Sequence, residues 1–324
     1  ARDFLRGFTF GRQMNLHNIL AEDGNILVTN GTLQSLQIFF HVFSKPGDHI
    51  ALENPTSSII LLIAKIFNLR VIKIPMTFIG MDLNVLKSEL EQHKIKFIYV
   101  MPTYQNPTGI SMPHERREEF LQLCKDYNCV ILEDGIEEEM KYSGKAFLPI
   151  KSIDDRGKVV YLGTYTKLMA PGIPLGWVVA SPECIKKMTV VKAIFEISSG
   201  SINQMFYYHF LRRGTFDLQL RKTVRVYKKR IKIAVNAIRK FVPSDKIELI
   251  EPNGGYMLWI KLLTSYHKNI ETIFSDNGVL IHNGQYFFVD EPMNNYIRIC
   301  IAQTNEEEIV KGIKRVGEVF GKLS

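Results

Sequence analysis

No run of this chain is apolar for the roughly 20 residues that a membrane-spanning helix needs. The longest, around Ile59 to Ile66, is broken by Lys65 and followed by Asn68 and Arg70, so no segment is expected to cross a bilayer. Cysteine is scarce as well: Cys124, Cys129, Cys184 and Cys300 are scattered, with no CxxC pair and no Cys/His array. That speaks against a disulfide scaffold and a zinc site, and it leaves reduced, buried thiols in a cytoplasmic protein as the plain reading. There is no internal repeat and no low-complexity stretch. An initiator Met is missing, and Ala1 to Arg6 lack the apolar core of a signal peptide and read as the middle of a helix. A piece of something with more sequence upstream is the expectation.

What is present has the composition of a packed globular chain. Of 324 residues, 46% are apolar and 23% charged, enough for two lobes that share a core. Lys and Arg outnumber Asp and Glu by 41 to 33, a net +8 that favours phosphorylated ligands or nucleic acid without identifying either. The densest basic run, Arg221, Lys222, Arg225, Lys228, Lys229, Arg230 and Lys232, is interleaved with Val224, Tyr227, Ile231 and Val235 at helical spacing. It reads as the solvated face of an amphipathic helix.

From residue 26 to 180, short β-branched runs alternate with amphipathic helical stretches. Strands are expected at Ile26 to Thr29, His49 to Glu53, Arg70 to Ile74, Phe97 to Met101, Val130 to Glu133, Val159 to Leu162 and Trp177 to Ala180. Helices fit between them at Thr32 to Phe43, Ser57 to Phe67, Leu83 to Gln92 and Pro113 to Tyr127. Strand–helix repetition with runs apolar on both faces predicts an α/β fold, a mostly parallel sheet covered by helices. A long helical region from about 182 to 241 then leads to strands at Glu248 to Ile250, Tyr256 to Lys261, Val279 to His282 and Tyr296 to Ile301, and to a last helix from Asn305. The division expected is a large domain over 1–205, including the start of an interdomain helix, and a small α+β domain over 206–324.

In an open α/β sheet, ligands collect at the carboxyl ends of strands, so the residues just after each run matter most. After the first comes Asn30-Gly31-Thr32-Leu33, a glycine turn whose free N–H groups and positive helix end suit a phosphate. Then follow Asn106 in "NPTG", Asp134 in "ILED", and Thr164, Thr166 and Lys167 in "YLGTYTK". Singly, these residues are equally a turn, a helix cap, sheet residues and a surface amine. Together they match what pyridoxal phosphate requires: an amine for the Schiff base, a carboxylate for the pyridine nitrogen, an amide for the phenolic oxygen, and hydroxyls with a helix end for the phosphate.

In that order the motifs resemble the fold type I aminotransferases of class I/II, over essentially the whole chain. The resemblance implies a large domain with a mostly parallel central sheet, a smaller C-terminal α+β domain, and pyridoxal 5′-phosphate as cofactor. It implies that Lys167 is the catalytic lysine, that Asn106 and Asp134 contact the ring, and that Gly31, Thr32, Leu33, Thr164 and Thr166 hold the phosphate. Arg298, in "NYIRICIA", would grip the substrate carboxylate, a bidentate task suited to a guanidinium. A homodimer is implied too, since such sites are completed across one.

The chain also departs from the pattern. The family usually has an arginine seven positions after the lysine, in "SKxLxPGLRLG", to neutralise the phosphate; "TKLMAPGIPLG" has Pro174 there, with neither charge nor donor. Ser57 in "ENPTSSI", and Ile136 and Glu137 in "EDGIEEEM", stand where the family tends to have tyrosines. Lys65 or Arg70 are candidates for the lost cation. Two relatives compete. "NGGYMLWIKL" suggests a transaminase of the aminoadipate, kynurenine or aromatic type. "HERREEFL", "EDGIEEEMKY" and "FLPIKSIDDRGKVVYLGTYTK" are a longer match to the aminotransferase-like domain of MocR/GntR-type regulators, which bind DNA through an N-terminal winged helix. The reading favoured is therefore a regulator's domain that binds pyridoxal phosphate and senses an amino acid or amine. An active aminotransferase is the alternative, and a pseudoenzyme with lost cofactor binding the second.

Overall fold

The computed structural model describes residues 14, 17–144, 147–169, 172–196, 199–263, 270–289 and 295–322. The expected helix at the start of the chain lies outside these residues. The large sheet is built from β1 (Ile26–Thr29), β2 (His49–Asn54), β3 (Arg70–Thr77), β4 (Gly80–Met81), β5 (Ile95–Val100), β6 (Val130–Asp134), β7 (Val159–Thr164) and β8 (Gly176–Val179). Its order is β1-β8-β7-β6-β5-β2-β3-β4. The block β7-β6-β5-β2-β3 is parallel, while β8 runs antiparallel to both β7 and β1. Because β8 is reversed between them, β1 points the same way as β7, so six strands end at one edge.

The alternation of side chains across the strands accounts for the helices on both faces. Ile50, Leu52, Phe97, Tyr99 and Leu132 face a core with Leu36, Phe39 and Phe40 of α1 (Thr32–Phe43), Ile60 and Ile63 of α2 (Ser58–Ile66), and Ile185 and Met188 of α5 (Pro182–Phe195). Ala51, Ile98, Val100 and Ile131 face the opposite core, with Leu83, Leu86 and Leu90 of α3 (Leu83–Gln92) and Phe120 and Leu121 of α4 (His114–Asp126).

The helical region from 182 divides into α5, α6 (Ser201–Arg212) and α7 (Thr215–Phe241), with Gly200 and the left-handed Gly214 at the breaks. The second sheet, β11-β12-β10-β9, is antiparallel throughout and comprises β9 (Ile247–Leu249), β10 (Met257–Leu262), β11 (His282–Asn283) and β12 (Tyr296–Cys300). Helix α8 (Ile270–Asp276) precedes β11, and α9 (Glu306–Lys322) buries Ile309, Ile313, Val316 and Phe320 in the core that also holds Ala234, Val235 and Ile238 of α7.

One expected strand is largely absent. Val279 to Ile281 do not pair; only His282 and Asn283 do. The amide of Val279 donates to Phe274 O at 2.9 Å and that of Gly278, at φ 72°, to Ser275 O at 2.8 Å. The Gly278 and Val279 amides serve the end of α8, whose last carbonyls would otherwise go unpaired.

Gly163, in the middle of "YLGTYTK", lies beneath the Trp177 indole, where an added Cβ would fall 2.3 Å from a ring carbon. The ring is buried and cannot swing aside, so Gly163→Ala is expected to destabilise the fold by about 1–3 kcal/mol. Thermal melting checks this: an unchanged midpoint would mean that β7 and β8 can separate without loss.

Candidate active site

The common edge of the six strands gathers the residues that the motifs single out. Gly31, at φ 94°, is the N-cap of α1, and no side chain caps that helix. A Cβ on Gly176 would lie 2.7 Å from the Gly31 Cα, and one on Gly31 would meet Thr166 Oγ1 at 3.9 Å. The turn, Thr166 and the start of β8 are therefore in contact, with glycine on both sides of the closest approach. Thr164 Oγ1 donates to Leu175 O at 2.7 Å, and Thr166 Oγ1 accepts from Leu175 N at 3.2 Å. Both hydroxyls thus engage Leu175, the residue just before β8. Thr32 is half-buried and Leu33 exposed.

Asp134 closes β6 and is buried, its Oδ2 accepting from Tyr99 Oη at 2.7 Å and its Oδ1 from Ile136 N at 3.1 Å. Burial pushes its carboxyl up to about 6, against the opposing pull of those bonds and of the Lys167 charge. Glu53, at the end of β2, is pushed by burial up to about 8, despite accepting from Met101 N and Gln105 Nε2.

Lys167 follows β7 with its side chain 42% exposed, and its Nζ stands 3.7 Å from Oε1 of the buried Glu137. The same oxygen accepts from Tyr256 Oη at 2.6 Å, and Nζ lies 5.6 Å from the centre of the Tyr256 ring. Arg298, on β12, donates from Nη1 to Asn106 Oδ1 at 2.8 Å and stacks on Phe287 with its guanidinium carbon 4.6 Å from the ring centre. Burial lowers the Arg298 pKa, with Glu137 among the groups that counter it.

The structure thus brings Asn106 against Arg298, Lys167 against Glu137, and Gly31 against Thr166. Pro174 lies in the β7–β8 connection, where its carbonyl accepts from Asn203 Nδ2 at 3.3 Å. Arg70 opens β3 and so stands at the opposite edge of the sheet, away from the cluster. A buried cation reaches the glycine turn another way: Lys192 Nζ pairs with Glu196 Oε1 at 2.9 Å, and Glu196 Oε2 accepts from Asn30 Nδ2 at 2.6 Å. That pair is neutral, so it brings the turn no net positive charge. Sequence reasoning did not single out Tyr99 and Tyr256. The signal for Tyr99 is a lone hydroxyl in the run "IKFIYV", since a buried phenol needs a partner.

The cluster fits pyridoxal phosphate. An uncapped helix end beside two glycines accommodates a phosphate, and a buried aspartate and an accessible amine stand at neighbouring strand ends. Among the described residues, no helix is long and apolar enough to cross a membrane, and no group of three His, Cys, Asp or Glu is placed to hold a metal.

Known proteins agree with the fold and the cofactor. The chain is similar to aromatic-amino-acid aminotransferase 1 of Thermococcus litoralis, with 32% identity over 303 residues, 91% of this chain and 72% of that protein. It is also similar to the uncharacterized HTH-type transcriptional regulator YdfD of Bacillus subtilis, with 29% identity over 94% of this chain and 63% of the regulator. The crystal structure of Pyrococcus horikoshii kynurenine aminotransferase, solved in complex with PMP, superimposes with a TM-score of 0.93 at 28% identity, covering 98% of this chain and 80% of that one. With the aminotransferase class I and II family model matching residues 12–316, the chain belongs to that family, and pyridoxal phosphate is its cofactor.

Proposed function

We propose that this chain is the ligand-sensing domain of a DNA-binding regulator of the MocR/GntR type. Lys167 carries the cofactor, Asn106 and Asp134 contact its ring, and Gly31, Thr32, Leu33, Thr164 and Thr166 surround its phosphate. Arg298 receives the carboxylate of an amino acid effector. Pyridoxal phosphate, when bound, supplies an aldehyde that condenses with amines and a ring that accepts electrons. The observation that supports this reading is a group of residues suited to the cofactor beside a missing anchor: Lys167 stands 3.7 Å from Glu137, Asp134 is held by Tyr99 and Arg298 by Asn106, while Pro174 offers the phosphate no charge. A sensor needs to bind and report, not to turn over. The long regulator-like stretch around Lys167 and the similarity to the Bacillus regulator support it. DNA would be bound by an N-terminal domain, in the cytoplasm. Self-association into a homodimer is part of the reading, and Ile194, Phe195 and Ile202, each more than half exposed on α5 and α6, suit such a contact.

A working aminotransferase of the aminoadipate, kynurenine or aromatic type is the second reading, favoured by that same group of residues and by the resemblance to the Thermococcus enzyme. Mixing the protein with pyridoxal phosphate, 2-oxoglutarate and each of the common amino acids separates the two. Keto acid produced over many turnovers would sink the sensor.

The phosphate argument has its own test. Charge-assisted hydrogen bonds contribute about 1.5–3 kcal/mol each, so Pro174→Arg is expected to tighten pyridoxal phosphate binding roughly ten- to a hundredfold. An unchanged affinity in an absorbance titration would mean that another cation already neutralises the phosphate.

A further inference from the structure

We propose that Glu137 is a docking carboxylate for the free Lys167 ammonium, so that a side chain of this chain competes with the cofactor aldehyde for the lysine. The inference rests on the reading of Lys167 as the cofactor-binding residue and goes beyond it.

The geometry is specific. Glu137 is 1% exposed, and one carboxylate oxygen, Oε2, is buried without a hydrogen-bond partner. The other, Oε1, is held by Tyr256 Oη at 2.6 Å, which fixes the carboxylate while Lys167 Nζ stands 3.7 Å away. The groups that act on this carboxylate are Lys167 after β7, Tyr256 before β10 and Arg298 on β12, with Asp134 in its own strand–loop segment and Tyr142 and Tyr227 further out. Two of these are cations, but Arg298 is engaged by Asn106. Lys167 is the accessible one, its side chain 42% exposed.

A buried carboxylate deprived of its cation is strongly disfavoured and must gain either a proton or another cation. Burial indeed pushes Glu137 up, and Lys167 is the largest opposing influence. An ammonium has no lone pair. To condense with an aldehyde, Nζ must first lose a proton to solvent, and the carbon–nitrogen bond then forms with loss of water. Each of these changes strips Glu137 of its partner, so the ion pair opposes cofactor capture. It acts in reverse when an amino compound displaces the lysine, because the freed ammonium returns to Glu137. The residue therefore biases the site toward the ligand-held state. That is the behaviour of a sensor.

The test begins with cofactor-free protein. Trinitrobenzenesulfonate, which reacts only with uncharged amines, is added to wild type and to Glu137→Gln, and labelling of the Lys167 peptide is followed by mass spectrometry. The exposed Lys87 serves as internal standard. Near pH 8, Glu137→Gln is expected to label Lys167 severalfold faster, with Lys87 unchanged. Glu137→Asp, which keeps the charge on a shorter arm, should fall between. In a second measurement, absorbance titration with pyridoxal phosphate, Glu137→Gln should bind about tenfold tighter than wild type. Equal labelling, or equal or weaker cofactor binding, would overturn the proposal. Absence of any Lys167-dependent cofactor absorbance would instead overturn the reading of the site, while the labelling still decides whether Glu137 holds the lysine.

Discussion

Lys167→Ala is expected to abolish covalent capture of pyridoxal phosphate completely. In wild type, borohydride treatment of the cofactor-loaded protein should fix one cofactor on the peptide containing Lys167; in the variant, none. The reasoning is chemical: only an amine condenses with the aldehyde, and the amine at the common strand edge beside Asp134 is this one. The fold should hardly notice. The side chain is 42% exposed and the Glu137 carboxylate lies at 3.7 Å, so the lost attraction is about 1–2 kcal/mol, and the thermal midpoint should stay within a few degrees. Glu137, left without Lys167, would have its pKa raised further. An adduct that persisted in the variant, fixed on another lysine, would remove Lys167 from the role.

Arg117→Ala should have the largest effect on stability. This guanidinium is 1% exposed and donates to Met112 O at 2.9 Å, Leu148 O at 2.8 Å, Pro102 O at 2.7 Å and Thr103 Oγ1 at 2.7 Å. Burial lowers its pKa, and the nearby Glu133, itself pushed by burial to about 7, counters that. Truncation removes four hydrogen bonds at once, three of them buried, a loss of about 3–5 kcal/mol by analogy with breaking a buried charge pair. Urea unfolding measures it, and a change under about 1 kcal/mol would mean that water reaches the acceptors. Arg117→Lys should rescue little, because an ammonium cannot span the same fork. The consequence extends to the site. Pro102, Thr103 and Met112 bracket the loop that carries Asn106, so Arg117 of the "HERREEFL" motif braces that loop.

Much of this was legible in the residues. The strands read as apolar runs because the central ones are buried on both faces, and the strand-end rule led directly to Gly31, Asn106, Asp134 and Lys167. The register was less visible. "EEE" at 137–139 looks like a solvated surface, yet the topology turns Glu137 inward under Lys167, and no local pattern announces that. Tyr256 and Arg117 were hidden for the same reason: their partners lie far along the chain, and periodicity reports only which face a residue occupies. Val279 to His282 misled because β-branched residues that end a helix look like those that start a strand.

The contact between Gly31 and Gly176 bears on the order in which the site forms during folding. The strands β5, β6 and β7 follow one another through the chain and can assemble while it is still being made, which places Asp134 and Lys167 early. Strand β1 has no such neighbour: it pairs Ile26 with Val179, across nearly the whole lobe. Closing so long a loop is slow, because its entropy must be surrendered before any contact repays it. The contact between Gly31 and Gly176 therefore forms after the β5–β7 block, and a nascent chain that has not yet delivered residue 176 holds Lys167 without the glycine turn beside it.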